Sequence, residues 1–202
     1  MDKQKEGKEI FSPDYWNDRY LNDQTGWDLG MPSPALMQYM GSIRNVSVKV
    51  LIPGAGRAYE AEALRKLGFE NVFIVDWAKE ALRAVKFRYP EFKDEFLINS
   101  DFFGIEGEFD IILEQTFFCA LPPAMRKDYA KKASELLSPS GRLAGLLFDF
   151  PLTEEGPPFG GSKEEYTNLF EPYFDILHMD RAENSIAPRA GRELFIELKK
   201  RD

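Results

Sequence analysis

The apolar positions change period along the chain, and each change marks an element. Residues 48–52 (Val-Lys-Val-Leu-Ile) form a β-branched run that suits a buried strand. The run breaks at Pro53-Gly54-Ala55-Gly56. Ala61, Ala63, Leu64 and Leu67 then recur at helical spacing, with Gly68 in the place of a C-terminal cap. Further runs predict strands at 71–75, 95–99, 109–113, 142–148, 174–179 and 193–199. Helical spacing predicts helices at 79–88, 123–137 and 162–170, the last opened by a capping box of Ser162 and Glu165. Strands alternating with helices point to an α/β fold with a doubly wound, mostly parallel sheet. The last strand follows its predecessor through a loop without a clear helix, so it can only insert antiparallel.

Residues 1–45 follow another pattern. Tyr15, Trp16 and Tyr20 crowd a short helical stretch at 13–21, and Trp16 and Tyr20, four apart, share a face. A loop at 25–34 carries two glycines and two prolines, which rules out regular structure. Residues 35–40 read as a short amphipathic helix. No linker separates this stretch from the rest. It is expected to be an N-terminal helical cap (1–45) on a Rossmann-like core (46–202), the two forming a single domain.

Composition narrows the function. The chain has 202 residues, 44% hydrophobic and 30% charged, a common size for one core. A net charge of −8 argues against a nucleic-acid partner, whose affinity comes from clustered Lys and Arg. No apolar run is long enough to span a bilayer, so no membrane partner is expected. Residues 1–9 are charged and lack the apolar core of a signal peptide, which implies a cytoplasmic location. With one cysteine, Cys119, and one histidine, His178, no internal disulfide and no Cys/His metal site is expected. A small-molecule ligand is the reading that remains.

In an open α/β sheet that ligand lies beyond the carboxyl ends of the strands. Gly54 and Gly56 follow the first strand and let backbone approach a ligand closely. Asp76 follows the second, twenty residues on, where a carboxylate meets ribose hydroxyls. Asp101 and Phe102 follow the third and offer an acid and a ring to an adenine. A dinucleotide site wants a third glycine, and Tyr59 stands at that position. The turn therefore suits S-adenosylmethionine, which has no pyrophosphate, better than a nicotinamide cofactor.

Several ordered segments carry a resemblance. They are Tyr15-Trp16-Asn17-Asp18-Arg19-Tyr20, Thr25-Gly26-Trp27-Asp28, Pro32-Ser33-Pro34-Ala35-Leu36, Ile52-Pro53-Gly54-Ala55-Gly56, Asp101-Phe102-Phe103, Phe117-Phe118-Cys119-Ala120-Leu121, Gly156-Pro157-Pro158-Phe159 and Pro188-Arg189-Ala190-Gly191-Arg192-Glu193. Together they resemble the thiopurine S-methyltransferase family of class I methyltransferases, nearest its thiol and halide methyltransferase branch. The resemblance implies a seven-stranded class I sheet and S-adenosyl-L-methionine as cofactor, with S-adenosyl-L-homocysteine as product. It implies Trp16, Tyr20 and Trp27 at the methionine end, where aromatic faces attract a sulfonium by about 0.5–2 kcal/mol each. It places Gly54 near the methionine, Asp76 on the ribose, Asp101 and Phe102 at the adenine, and Gln115 where plant relatives tend to carry tyrosine. Arg126 lies where the family's thiopurine enzymes put an acceptor-side arginine, with Arg189 and Arg192 as further anion-facing candidates.

The implied partner is a small thiol, sulfide or halide, methylated by direct in-line displacement. That chemistry needs no enzyme nucleophile, so Cys119 reads as buried and His178 is not required. Residues 153–161 read as a lid over the acceptor pocket. A monomer is expected. A nicotinamide-dependent oxidoreductase and a non-catalytic cofactor-binding module are the alternatives.

Overall fold

A computed structural model of the chain describes residues 12–201. The charged stretch at residues 1–9, which carries the expectation of a cytoplasmic location, lies outside the described residues. The elements run α1 (Pro13–Leu21), α2 (Pro34–Gly41), β1 (Lys49–Pro53), α3 (Tyr59–Lys66), β2 (Asn71–Val75), α4 (Lys79–Arg88), β3 (Leu97–Ile98), β4 (Phe109–Gln115), α5 (Arg126–Leu136), β5 (Leu137–Phe148), α6 (Lys163–Phe170), β6 (Phe174–Arg181) and β7 (Glu193–Lys200). The strands form one seven-stranded sheet in the order β3-β2-β1-β4-β5-β7-β6. All pairs are parallel except β5 with β7 and β6 with β7. The last strand thus inserts antiparallel, as its hairpin connection requires. Order reverses between β1 and β4, and such a reversal opens a crevice at the strands' carboxyl ends.

Each face of the sheet buries its own apolar cluster. One joins Leu51, Ile112 and Leu143 to Tyr129 of α5 and Tyr166 and Phe170 of α6. The other joins Val50, Ile74 and Leu113 to Leu64 of α3, Val85 of α4, and Leu36 and Met40 of α2. Full burial of Leu36 and Met40 stabilises the fold by about 2 kcal/mol each and fastens the second cap helix to the sheet. Among the described residues no helix is long and apolar enough to cross a membrane.

Three local expectations need correction. The strand expected at 95–99 is only Leu97–Ile98, because residues 94–96 wind into a 3₁₀ turn that buries Phe96. The fifth strand begins at Leu137, not at Arg142. Leu137 sits opposite Phe109 and Arg142 opposite Ile111, so Ser138 to Gly141 bulge out of the ladder, with Ser140 at φ 61°. The capping box is half made. Ser162 accepts from the Glu165 N–H at 3.2 Å, but the Glu165 carboxylate turns to Arg126 at 2.6 Å.

Gly68 does cap α3. The Phe69 N–H reaches the Leu64 carbonyl at 3.0 Å and the Gly68 N–H reaches Arg65 at 3.1 Å, a Schellman closure with Gly68 at φ +94°. The space around a Cβ there is open, so strain at Gly68 is conformational only. Gly68→Ala is expected to cost about 1 kcal/mol in urea unfolding, with the denaturant slope unchanged.

Candidate active site

The crevice is built from the glycine turn outward. Gly54 and Gly56 both stand at φ +53°. A Cβ on Gly54 would collide with the Phe117 ring, and one on Gly56 would lie 2.9 Å from the Tyr20 hydroxyl. Both positions therefore require glycine for conformation and for close approach. Asp76, at the end of β2, completes the turn. Its carboxylate accepts from the Gly56 N–H at 2.9 Å and the Ala78 N–H at 2.8 Å. Only 8% of Asp76 is exposed, and burial raises its pKa from 3.8 to about 6 against the pull of those two N–H donors.

The cap closes over this turn through aromatic edges. Trp27 meets Trp16 at 5.4 Å and Tyr20 at 5.8 Å between ring centroids, both nearly perpendicular. Arg19 lies over Trp27 at 5.1 Å. Burial raises the Tyr20 pKa, and the nearby Asp76 charge adds to the shift. The loop after α1 is pinned by Asp28, whose Oδ1 accepts from the Gly30 N–H at 2.8 Å and whose Oδ2 pairs with Arg57 at 2.9 Å. Tyr59, in place of a third glycine, donates to the same Asp28 oxygen at 3.4 Å and lies under the Arg88 guanidinium at 4.4 Å.

Beyond β4 the chain turns sharply, with Thr116 at φ 61°. Glu114, 1% exposed, holds that turn. Its Oε1 accepts from the N–H groups of Phe117 (3.0 Å) and Phe118 (2.8 Å), and its Oε2 from the Tyr129 hydroxyl (2.7 Å). Burial lifts its pKa to about 7. Cys119 lies in the same turn, buried, with its thiol pushed up to about 12 mainly by burial. It is a neutral thiol, consistent with the reading that gives it no nucleophilic role. His178 is exposed on β6, 5.7 Å from Phe195, and does not line the cavity.

These pieces surround a cavity of about 660 Å³. Trp16, Tyr20, Trp27, Gly54, Asp76, Asp101, Phe102, Arg189 and Arg192 all line it. Gly56 and Gln115 instead line a smaller adjoining space of about 60 Å³ behind the glycine turn. Asp101 is both cavity wall and N-cap, accepting from the Phe103 N–H at 3.1 Å. Phe102 is almost wholly buried and stacked on Tyr129 at 5.4 Å. Pro157 and Pro158 of the expected lid also line the cavity, and the Phe159 N–H donates to the Cys119 carbonyl at 2.7 Å.

The three arginines diverge. Arg126 is 3% exposed, lines neither space, and donates to Glu165 at 2.6 Å and to the Gly160 carbonyl at 2.7 Å. Its place is under the lid, not in the cavity. Arg189 is buried too, donating to the Trp27 carbonyl at 2.8 Å and to Glu193 at 3.3 Å. Arg192 alone of the three is exposed, lying 4.7 Å over the Phe150 ring at the cavity's edge. Sequence reading passed over Glu114, although an acid at the end of an otherwise apolar strand is a signal that a buried partner awaits it. Arg19 was noted only as a neighbour of the aromatics.

Residues 11–197 match the family model of thiopurine S-methyltransferase (TPMT). The chain belongs to the thiopurine S-methyltransferase family. It is 31% identical to a probable thiol methyltransferase 2 of Arabidopsis thaliana, over 92% of this chain and 84% of the relative. It is 28% identical to thiopurine S-methyltransferase of Vibrio campbellii, over 85% of this chain and 88% of that one. Among solved structures it resembles the 1,6-didemethyltoxoflavin-N1-methyltransferase of Burkholderia thailandensis, bound to S-adenosylhomocysteine. The TM-score is 0.71 at 21% identity, covering 94% of this chain and 87% of that one. The sheet is the class I methyltransferase sheet. The family member described here is an S-adenosylmethionine-dependent S-methyltransferase, and S-adenosylmethionine is its cofactor.

Arg126 is expected to act on stability. Arg126→Ala removes two charge-assisted bonds from a buried site and is expected to cost about 2 kcal/mol in denaturant unfolding. Its affinity for S-adenosylmethionine, measured by calorimetry, is expected to stay within about threefold of wild type.

Proposed function

We propose that this methyltransferase transfers the methyl group to a small thiol or related sulfur nucleophile, with a halide or bisulfide as the second choice. The observation that carries this is an apolar part of the cavity lining. Phe148, Phe150, Pro157, Pro158, Leu121 and Met125 form it, and Arg192 is the exposed cation at its rim. A soft, weakly hydrated anion enters such a wall at small desolvation cost. The rim guanidinium favours its charged form, lowering the pKa of an incoming thiol. The names of the plant relatives, thiol and thiocyanate methyltransferases, point the same way.

The cofactor, when bound, supplies an electrophilic sulfonium methyl. The residues of the crevice fit it. Gly54 and Gly56 let the Phe117 ring and the Tyr20 hydroxyl close in beside it, Trp16, Tyr20 and Trp27 would meet its cation, and Asp76 would accept from its ribose hydroxyls. Asp101 and Phe102 would stand at its adenine, and Gln115 lines the smaller space instead. Donor and acceptor carry opposite charges, so the chain's task is alignment and exclusion of water, not proton transfer. We assign the cap (1–45) and core (46–202) to one domain working as a monomer in the cytoplasm.

A panel of thiols, bisulfide and iodide, assayed for methylated product, tests the reading. Turnover fastest with a thiol supports it, and turnover with iodide alone overturns it. In Arg192→Ala, kcat/KM for the best thiol is expected to fall about 10- to 100-fold with cofactor affinity unchanged.

The pH dependence of cofactor binding follows from Asp76. In the free protein its raised pKa means that the folded chain keeps a proton the unfolded chain has released. Its contribution to stability is full below pH 3.8 and is lost as pH rises toward 6. Ribose hydroxyls favour the ionised carboxylate instead, so affinity for S-adenosylmethionine is held above pH 6 and falls below it. Calorimetry is expected to show up to about a fivefold loss between pH 6 and pH 5. Asp76→Asn is expected to bind more weakly and to flatten that profile.

A further inference from the structure

The turn at residues 116–121 touches both the glycine turn and the segment 153–161. On one side the Phe117 ring fills the place of the Cβ that Gly54 lacks. On the other, the Cys119 carbonyl accepts from the Phe159 N–H of the lid at 2.7 Å. Thr116, Phe117, Cys119, Ala120 and Leu121 line the cavity between these two contacts. Backbone bonds within the turn, from the Ala120 N–H to the Phe117 carbonyl at 2.9 Å and from the Leu121 N–H to the Phe118 carbonyl at 3.2 Å, wind its second half, but they do not account for Thr116, whose left-handed conformation a β-branched residue resists. What holds it is one side chain below it, Glu114, with three bonds of 2.7–3.0 Å. The sheet makes room for that side chain, because a Cβ on Gly145 of β5 would lie 2.6 Å from the Glu114 Cβ.

We propose that Glu114, which does not line the cavity, is a positioning residue for methyl transfer. It fixes the turn 116–121 so that the acceptor wall stands at a set distance from the cofactor turn and the lid docks on it. Its length matters more than its charge. A glutamine keeps the oxygen that serves Phe117 and Phe118 and offers its amide to the Tyr129 oxygen. An aspartate keeps the charge but withdraws the acceptor oxygens by one methylene. The misplacement falls on the reaction geometry, where about 1 Å can cost roughly 100-fold in rate. The cofactor turn itself is held separately by Asp76.

The proposal rests on the sulfur-methylation reading only for its kinetic arm. Amide hydrogen exchange needs no acceptor. In Glu114→Asp, exchange at the Phe117 and Phe118 amides is expected to quicken at least tenfold, while the Asp76–Gly56 contact is unchanged. In the same variant kcat with the best acceptor is expected to fall about 30- to 100-fold, with the cofactor dissociation constant within fivefold. Glu114→Gln is expected to keep both exchange and kcat within about fivefold of wild type. Tyr129→Phe, which removes one bond of three, is expected to move exchange and kcat in the direction of Glu114→Asp, and serves where that variant does not fold. Unchanged exchange, or unchanged kcat, in Glu114→Asp or its substitute overturns the proposal. So does a Glu114→Gln protein as impaired as Glu114→Asp, which would make the charge the cause. A wild-type enzyme that methylates none of the acceptors defeats the sulfur reading instead, and exchange alone then decides the role of Glu114.

Discussion

The site depends on the missing Cβ at Gly54. Two segments far apart in sequence, the turn after β1 and the turn after β4, meet there at a distance only glycine allows. The Phe117 ring occupies what would be side-chain space, so the turn that faces a ligand and the wall that faces an acceptor share one contact. The φ of +53° adds a conformational requirement to the steric one. A site built this way has little slack, because neither turn can shift without the other.

Buried charges hold the parts around that contact, and each is satisfied by backbone rather than by a solvent-facing partner. Asp76 binds one N–H of the cofactor turn, Gly56, and one beyond its own strand, Ala78; Glu114 binds two N–H groups of the acceptor turn, and Arg189 the carbonyl of Trp27 in the cap. The last spans 162 residues and ties the C-terminal loop to the N-terminal one. Charges in such places cost free energy to bury, which shows in the raised pKa values of both acids. What they stabilise in return is loop geometry, which apolar contacts, being non-directional, do not specify.

Much of this was legible in the sequence, and the illegible parts have a common cause. Strands buried on both faces announce themselves as apolar runs, so β1, β2, β4 and β5 were found, and Gly68 marked its helix end. The edge strand β3 was overestimated because Phe96 prolongs the apolar run of Leu97 and Ile98, while a 3₁₀ turn at 94–96 buries it instead. Gly54, Asp76 and Asp101 line the cavity because they follow strand ends, a placement that the strand pattern makes legible. Glu114 and the engagement of Arg126 were not found, because their partners are main-chain groups and a residue more than 30 positions away. Local pattern signals that Glu114 has a buried partner without naming it, and carries no trace of the Arg126–Glu165 pairing.

The arginines show why that matters for function. Sequence offers three candidate cations, Arg126 first, then Arg189 and Arg192. Folding makes them unequal by what lies next to each. Glu165 and Gly160 occupy the first and Trp27 and Glu193 the second, while the third faces only the Phe150 ring. An ion pair already satisfied gains little from an incoming anion, since the new contact must first displace the old one. A guanidinium stacked on an aromatic face keeps its N–H edge free while its plane is covered. Of the three, Arg192 thus keeps a guanidinium that no carboxylate or carbonyl occupies among the described residues, while Arg126 and Arg189 are engaged in holding segments 160–165 and the Trp27 loop.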